Sequence, residues 1–475
     1  MGAHAVTTPV PQPPCPYAAA VPAFRDRLAV PRPAELGVYE HGWQSWSPAG
    51  LFGATSPTPR PAREVWQTMA FRPGRPAPAT GAQGEGLLAV LEPSGRTTVV
   101  SSPDPAVEVA SIRTRVEGDQ LVVSADGEVD VRVDDRGLLP ALEQWADDAS
   151  RTAGGPALRS LPAGWCSWYY YWTGVTEADV LDNLRCLDVH GLDVGVVQVD
   201  DGHQSGIGDW LTRSASFGPL ADLAAAVIAT GRRAGVWTAP FLVGADSDLA
   251  HAHPDWLVRG AVAAERHWDQ QVGVLDVTHP EAREHLSEVY RTLAADGFSY
   301  HKVDFLYAGA MDGGRHEDCS PLEAYRLGMQ LVRDAIGADA VLVGCGAPLL
   351  PSIGLVDAMR VSPDVDPEPE PPDGDISQPG MRSALANGRA RAWQNGRLWV
   401  NDPDCVLARP QVGEREAWAD HVEAMGGLAV VSDQLTDLDD AGLAILRRLL
   451  RPTDPDRRTS WDPTAGPDQG LAVRA

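Results

Sequence analysis

The chain has 475 residues, with 39 Lys and Arg against 65 Asp and Glu, so its formal net charge is −26. A surface this acidic repels phosphate backbones and anionic lipids, which excludes nucleic acid and membranes as expected partners. The six cysteines form no CxxC pair and no dense framework, which argues against disulfides and structural zinc. We expect a cytoplasmic protein that acts on a neutral substrate.

The N-terminal third predicts a leader followed by a β domain. Residues 1–17 are rich in Pro and lack the basic start and apolar run of a signal peptide, so we expect a disordered leader there. Residues 18–150 contain short apolar runs separated by Gly and Asp turns, which is typical of an antiparallel β-sandwich-like domain. Its clearest predicted strands are 86–91, 97–101, 110–116, 120–124 and 129–133.

Residues 155–452 alternate short apolar runs with segments of helical period, which predicts a (β/α)8 TIM barrel. Thr176, followed three residues later by Asp179, gives the first crossover helix a start that resembles a capping box. The connection 348–355 is short for a helix. A doubly wound open sheet is the alternative, weakened because no G-x-G-x-x-G follows a strand. The eight predicted strands are 164–168, 194–199, 235–239, 300–304, 341–345, 356–361, 398–401 and 428–432, and 453–475 is predicted to be a polar tail.

Polar side chains follow the predicted barrel strands, where a barrel carries its catalytic residues. A single carboxylate at such a position often caps the next helix, which is our interpretation of Asp402 and Asp433. Carboxylates at five of the eight strand ends, however, predict one carboxylate-lined cup suited to a neutral polyol. The strand-end residues are Asp200, Asp201, Lys302, Asp304, Arg360, Asp364, Asp402 and Asp433.

Lys302 is the only lysine in the chain. An ammonium is a compact point charge that a planar guanidinium does not replace, so its survival among arginines indicates a specific site. Lys302 and Asp304 are two residues apart on a predicted strand and therefore share a face. Because a neighbouring cation favours an ionised carboxylate, Asp304 is expected to suit a nucleophile, with a structural ion pair as the alternative.

Asp364 follows Ser362-Pro363 and enters a loop dense in Pro, Asp and Glu. Nearby carboxylates favour its protonated form, which suits a general acid, whereas Arg360 opposes this, and a solvated acidic loop is equally compatible with the position. The pair His251-x-His253 has no third partner at a useful spacing, so no metal is predicted. Cys345 lacks an evident His partner and is interpreted as a packing residue.

Ordered motifs along the chain resemble glycoside hydrolase family 36, the α-galactosidases. They extend from position 43 to beyond position 400, which makes a chance match improbable. The matching segments are WQSW (43–46), GWCSWY (164–169), QVDD (198–201), IGDWL (207–211), WTAPF (237–241), HPDW (253–256), KVDFL (302–306), GCGAPL (344–349), MRVSPD (359–364) and NDPDC (401–405).

The resemblance implies a β-sandwich, a (β/α)8 barrel and a small C-terminal β domain, with no metal or organic cofactor. It further implies a retaining, exo-acting hydrolase of terminal α-galactosides, with Asp304 as the nucleophile and Asp364 as the acid/base. Trp46 would reach over from the N-terminal domain. The residues implied to line the galactose subsite are Asp200, Asp201, Lys302, Arg360, Cys345, Trp237 and Trp168.

Departures from the family pattern leave the leaving-group specificity and the oligomeric state undetermined. We expect no C-terminal β domain, Ser362 stands where some relatives carry Gly, and the loop 365–380 has no aromatic residue. An α-N-acetylgalactosaminidase, a galactosyl-transferring relative and a non-catalytic sugar-binding protein are the alternatives. The partner is an α-galactoside or an oligosaccharide, and a homo-oligomer is left open.

Overall fold

The computed structural model describes residues 24–56, 71–75, 78, 80–154, 158–371, 374–454 and 456–459. The predicted leader lies outside the described residues, as does most of the predicted tail. Among the residues that are described, no helix combines the length and apolarity that crossing a bilayer requires.

Two antiparallel sheets form the N-terminal domain, as the sequence predicted. The strands are β1 (Arg25–Pro31), β2 (Gly37–Glu40), β3 (Gly50–Gly53), β4 (Gln83–Glu85), β5 (Leu87–Leu91), β6 (Thr97–Ser101), β7 (Ser111–Glu117), β8 (Gln120–Ala125) and β9 (Asp130–Asp134). One sheet has the order β1-β8-β7-β4 and the other β3-β2-β5-β6-β9. Alternate residues such as Val38 and Leu88 from one sheet and Ile112 and Val123 from the other form a shared buried core.

Helix α1 (Leu138–Ala153) follows the sandwich and was not predicted. Leu142 and Trp145 lie on its buried face. Trp145 packs edge-on against Trp393 of the following domain, with ring centroids 6.0 Å apart. The helix therefore ties the sandwich to the barrel through apolar contact.

The remaining strands include the eight parallel strands of the predicted barrel. The barrel strands are β10 (Gly164–Cys166), β11 (Val196–Val199), β12 (Arg233–Thr238), β16 (Phe298–Val303), β17 (Val341–Gly344), β18 (Ala358–Arg360), β19 (Val400–Asp402) and β20 (Val430–Val431), and the others are β13 (Leu242–Gly244), β14 (Leu257–His267) and β15 (Gln270–Leu275). The barrel order is β10-β11-β12-β16-β17-β18-β19, with β20 beside β10. Leu428 N donates to Asn401 O at 2.8 Å and joins the ends of the sheet.

Most barrel strands are joined by helices, as the TIM-barrel prediction requires. Thr176 Oγ1 accepts from Asp179 N while the Asp179 carboxylate accepts from Thr176 N, so the predicted capping box is confirmed. The connection 348–355 contains only the short 3-10 helix Leu350–Ser352. The further helices are α2 (Trp168–Tyr171), α3 (Glu177–His190), α4 (Leu220–Ile228), α5 (Asp248–Ala252), α6 (Pro280–Ala295), α7 (Pro321–Ile336), α8 (Met381–Ala390), α9 (Arg415–Met425) and α10 (Asp440–Leu449).

An antiparallel sheet of β13, β15 and β14 is inserted between the third and fourth barrel strands and was not predicted. Its long hairpin, β14 and β15, turns at Trp268 and Asp269, whose φ angles are +47° and +59°. Two successive residues with positive φ match the right-handed twist of a two-residue hairpin turn. The turn thereby brings an aromatic side chain to the tip of the insertion.

Candidate active site

Lys302 and Asp200 form an ion pair inside the barrel rim. Lys302 Nζ lies 3.0 Å from Asp200 Oδ2, which also accepts from Gln198 Nε2 at 2.7 Å. Burial alone would lower the pKa of Lys302, but the charges of Asp200 and its other neighbours together raise it well above the ordinary lysine value. The lysine is therefore a fixed cation, paired with Asp200 rather than with Asp304 as its spacing suggested.

Asp304 stands directly after β16 and accepts two N–H donors. Its Oδ2 accepts from Trp237 Nε1 at 3.1 Å, and its Oδ1 accepts from Phe305 N at 2.7 Å. Phe305 has a φ of +52°, an uncommon conformation for an aromatic residue and one that concentrates at functional sites. The two donors and the tight turn fix the orientation of the Asp304 carboxylate.

The loop after β17 allows a close approach to Asp304. Cys345 is buried, and burial, with the charge of Asp304, raises the pKa of its thiol well above the ordinary value. The next residue, Gly346, has a φ of +54°, and a Cβ there would lie 3.3 Å from Asp304 Oδ1. A glycine at this position keeps side-chain atoms away from the Asp304 carboxylate.

Arg360 holds three carboxylates from a side chain that is only 2 % exposed. Its guanidinium nitrogens lie 3.0 Å from Asp364 Oδ1, 3.4 Å from Asp402 Oδ2 and 2.6 Å from Asp404 Oδ1. Burial alone would lower the pKa of Arg360, but the charges of Asp404 and Asp402 raise it well above the ordinary value. Arg360 is thus the cation around which the carboxylates of strands β18 and β19 are arranged.

The Asp364 carboxyl group ionises differently from an ordinary aspartate near pH 7. Its side chain is 27 % exposed, and its Oδ1 accepts from Arg360. Burial, followed by the charge of Asp404, raises the pKa of Asp364 to about 7, and the charge of Asp304 adds to the rise. The position therefore provides a carboxyl group of which a substantial fraction is protonated near pH 7.

Asp201 accepts a donor on each oxygen. Gln204 Nε2 lies 2.6 Å from Oδ1, and Trp268 Nε1, from the tip of the inserted hairpin, lies 2.8 Å from Oδ2. Burial raises the pKa of Asp201 to about 6, and the charges of Asp200 and Asp304 act in the same direction.

Trp237 and Trp168 lie at strand ends on the same rim. Trp237 is buried, packs edge-on against Trp210 at 5.8 Å, and donates its N–H to Asp304. Trp168 begins α2 and packs edge-on against Trp172 at 4.9 Å. The Trp237 indole therefore borders the Asp304 carboxylate, as expected for a cup that receives a sugar ring.

Trp46 lies in a buried loop of the sandwich that is attached to the barrel by Arg391. The Arg391 guanidinium donates to Ser45 O at 2.9 Å and to Ser47 O at 2.6 Å, on both sides of Trp46. It also donates to Val361 O at 2.8 Å, next to Arg360 on β18. One buried cation therefore fixes this loop against the strand that carries part of the site.

The predicted capping roles of Asp402 and Asp433 are wrong. Asp402 accepts from Arg360 and from Asp404 N, inside the carboxylate cluster. Asp433 accepts from Ala408 N and from Arg409, both at 2.6 Å, while α10 is capped by Asp439. Both side chains serve the loops of the barrel rim because those loops contain buried N–H groups that need acceptors.

Asp404, Tyr169 and Trp268 belong to this site, although they were not among the predicted site residues. The Tyr169 hydroxyl and Val365 N both donate to Asp404 Oδ2, and Asp404 has a φ of +93°. Asp404 and Tyr169 lie within the segments 401–405 and 164–169, so their proximity to Asp402 and Trp168 was the available signal. Trp268 has no neighbouring motif.

The two histidines weighed as metal ligands lie apart from these groups. The His253 ring stacks on Trp256, with centroids 3.7 Å apart and planes at 11°. Within the described ranges, no three His, Cys, Asp or Glu side chains are grouped as a metal site would require.

We expect Lys302→Arg to lower kcat/KM for a glycoside substrate by about 100-fold, because misplacing a buried charged donor costs about 2–5 kcal/mol. The longer planar guanidinium cannot occupy the 3.0 Å contact to Asp200 without moving that carboxylate. Steady-state kinetics of the purified variant test this, with Arg266→Lys, an exposed exchange on the hairpin, as the control. Rates close to wild type would mean that the lone lysine is a coincidence.

Comparison with known proteins identifies relatives of the chain. The Melibiase family model matches residues 163–318. The α-galactosidase TtGalA of Thermus thermophilus, solved with p-nitrophenyl α-D-galactopyranoside, is 31 % identical, with 91 % of this chain and 90 % of that chain covered and a TM-score of 0.74. The family 36 α-galactosidase AgaA of Geobacillus stearothermophilus, at 15 % identity, covers 89 % of this chain and 61 % of its own, with a TM-score of 0.61, and supports the fold alone.

The matches to curated sequences are shorter. A probable α-galactosidase C of Aspergillus flavus is 30 % identical over 157 residues, which is 30 % of this chain and 20 % of that protein. The bifunctional α-galactosidase/sucrose kinase AgaSK of Mediterraneibacter gnavus is 35 % identical over 103 residues, 20 % of this chain and 10 % of its own length. The matched region thus spans a fifth or less of these curated relatives.

A (β/α)8 barrel with a carboxylate-lined rim, similar over nine-tenths of its length to TtGalA, defines a glycoside hydrolase. The chain belongs to glycoside hydrolase family 36, the melibiases, as its motifs indicated.

Proposed function

We propose that this protein is a retaining, exo-acting α-galactosidase that hydrolyses terminal α-galactosides through a covalent glycosyl-enzyme. The observation that carries the proposal is the contrast between two neighbouring carboxyl groups. Asp364 has its pKa raised to about 7, whereas Asp304 is oriented by the N–H groups of Trp237 and Phe305. Retaining hydrolysis needs one carboxyl group to attack and one to deliver a proton.

In the first step an Asp304 oxygen forms a bond to the anomeric carbon while the bond from that carbon to the leaving oxygen breaks. Asp364 gives its proton to the leaving oxygen, so the aglycone departs as a neutral alcohol. In the second step the Asp364 carboxylate takes a proton from water, whose oxygen attacks the anomeric carbon and displaces Asp304. Asp364 is then protonated again, and the enzyme is restored.

Recognition of the sugar hydroxyl groups falls to the buried charges around the nucleophile. Asp200 and Asp201 provide acceptors, while Lys302 and Arg360 provide donors whose positions are fixed by their ion pairs. Cys345, Trp237, Trp168 and Trp46 complete the proposed galactose subsite as walls. Buried polar groups of this kind favour a substrate with matching hydroxyl groups, because a mismatched sugar leaves them unpaired.

The relatives support this glycone. TtGalA, the relative at 31 % identity, has been solved with p-nitrophenyl α-D-galactopyranoside and with stachyose. Terminal α-galactosides of small oligosaccharides are therefore the proposed substrates of this chain. The cytoplasmic location stays a prediction from the sequence.

Release of nitrophenol from an aryl α-galactoside tests the proposal, beside the α-glucoside, the β-galactoside and the α-N-acetylgalactosaminide. We expect turnover of the α-galactoside alone and, by NMR, the α anomer of galactose as the first product. Turnover of the α-N-acetylgalactosaminide alone would mean that the enzyme accepts N-acetylgalactosamine rather than galactose. Release of β-galactose as the first product would contradict a retaining mechanism. No turnover, with galactose still bound, would indicate a sugar-binding protein.

A further inference from the structure

We propose that Trp268, at the tip of the inserted hairpin, is a positioning residue that orients the Asp201 carboxylate to accept hydroxyl groups of the bound sugar. The inference rests on the proposed function and deepens it, because it names a positioning residue that lies outside the family motifs. The hairpin would thus form part of the sugar pocket.

The first support is the hydrogen-bond geometry at Asp201. An ionised carboxylate has about four acceptor positions, two on each oxygen. Gln204 Nε2 occupies one on Oδ1 at 2.6 Å, and Trp268 Nε1 occupies one on Oδ2 at 2.8 Å. One position on each oxygen is left, so the carboxylate can receive two hydroxyl groups at once. Without Trp268 the carboxylate would be held at one oxygen only.

The second support is the position of the indole between two parts of the site. Trp268 donates to Asp201 beyond β11, and its ring packs edge-on against Phe305, which follows Asp304, with centroids 5.3 Å apart. The His267 ring packs perpendicular to the indole at 3.9 Å. The indole is therefore held by an aromatic contact on the nucleophile side while its N–H is directed at the recognition carboxylate.

The third support is the backbone conformation of the turn. Trp268 and Asp269 both have left-handed φ angles, a conformation that is unfavourable for an L-residue relative to the right-handed region. Asn or Gly would make this turn with less strain. A bulky aromatic residue kept in such a conformation is typical of a site where the side chain is needed.

The charged groups that face Asp201 indicate how the role can be measured. Asp200, which is paired with Lys302, and Asp304 both favour the protonated form of Asp201, while the indole N–H favours the ionised form. Burial lowers the pKa of His267, so that ring is neutral at pH 7. Removing the indole donor should therefore raise the pKa of Asp201 from about 6, and a protonated carboxyl group is a poorer acceptor.

The test compares Trp268→Phe with the wild-type protein in kcat/KM for an aryl α-galactoside and in the Kd of galactose, from pH 5 to pH 9. The ratio of variant to wild type cancels the titration of Asp364. We expect the ratio to fall about tenfold or more towards acid pH and to recover towards alkaline pH, mainly through KM.

Asp269→Asn is the matched control at the hairpin tip, since Asn tolerates the left-handed conformation and Asp269 is highly exposed. We expect its ratio to stay near one at every pH. A ratio for Trp268→Phe that does not change with pH overturns the inference while the proposed function stands. A wild-type protein that neither hydrolyses the galactoside nor binds galactose overturns both.

Discussion

Replacing Asp304 by Ala should abolish turnover of α-galactosides, with kcat reduced by about 10⁴-fold or more. The substitution removes the oxygen that forms the glycosyl-enzyme, and no other carboxylate replaces it: Asp200 is engaged by Lys302, and Asp201 by Gln204 and Trp268. Galactose affinity should change far less, because the hydroxyl-binding charges remain. Parallel measurement of kcat and of galactose binding separates the two effects.

Azide makes this prediction more specific. In Asp304→Ala the anion can enter the vacated space and attack the anomeric carbon directly, with one inversion, so an activated α-galactoside should yield β-galactosyl azide. Asp318→Ala, an exposed change in the loop after β16, is the control and should keep wild-type rates. Normal activity in Asp304→Ala, or azide with no effect on it, would contradict the nucleophile assignment.

The barrel could be predicted because its strands are buried on both sides and therefore appear as short continuous apolar runs. The predicted strand 300–304 corresponds to β16, Phe298–Val303, and 341–345 to β17, Val341–Gly344. In the sandwich, the predicted strand 97–101 coincides with β6. Errors elsewhere lie mostly at the ends, as with 356–361 against β18, Ala358–Arg360, because residues that leave the sheet stay buried and apolar.

The inserted hairpin could not be predicted because both of its local signals are absent. Its turn uses Trp268 and Asp269 where a two-residue hairpin usually has Asn or Gly. The register between β14 and β15 shifts several times, so the apolar residues of β14 do not alternate regularly. Trp268 could not be assigned to the site because its proximity to Asp201 exists only in the folded hairpin.

The partner of Lys302 illustrates a second limit. Spacing along one strand places Lys302 and Asp304 on the same face, but it does not show which neighbouring strand the long side chain reaches. In the barrel the ammonium reaches past β12 to Asp200, after β11. The same limit applies to Asp404, whose contact with Arg360 joins two strands that are far apart in sequence.

The loss of activity in Asp364→Ala should depend on the leaving group of the substrate. With the proton donor gone, natural galactosides should lose about 10²–10⁴-fold in kcat/KM, whereas substrates with activated leaving groups should lose much less. Since the acid acts in its protonated form and its pKa is about 7, wild-type kcat/KM should fall as pH rises through about 7, and this alkaline limb should vanish in the variant. Glu368→Gln, in the same acidic loop, should keep the limb.

Azide again identifies the role, with the opposite stereochemistry. In Asp364→Ala the Asp304 glycosyl-enzyme still forms from an activated substrate, so azide attacks it from the face that the leaving group vacated and gives α-galactosyl azide after two inversions. The β product from Asp304→Ala and the α product from Asp364→Ala would assign each carboxyl group to one face of the sugar. Equal losses on natural and activated substrates, or a β-galactosyl azide from Asp364→Ala, would contradict the acid/base role. The Asp364 carboxylate would then have only a structural role, as the ion-pair partner of Arg360.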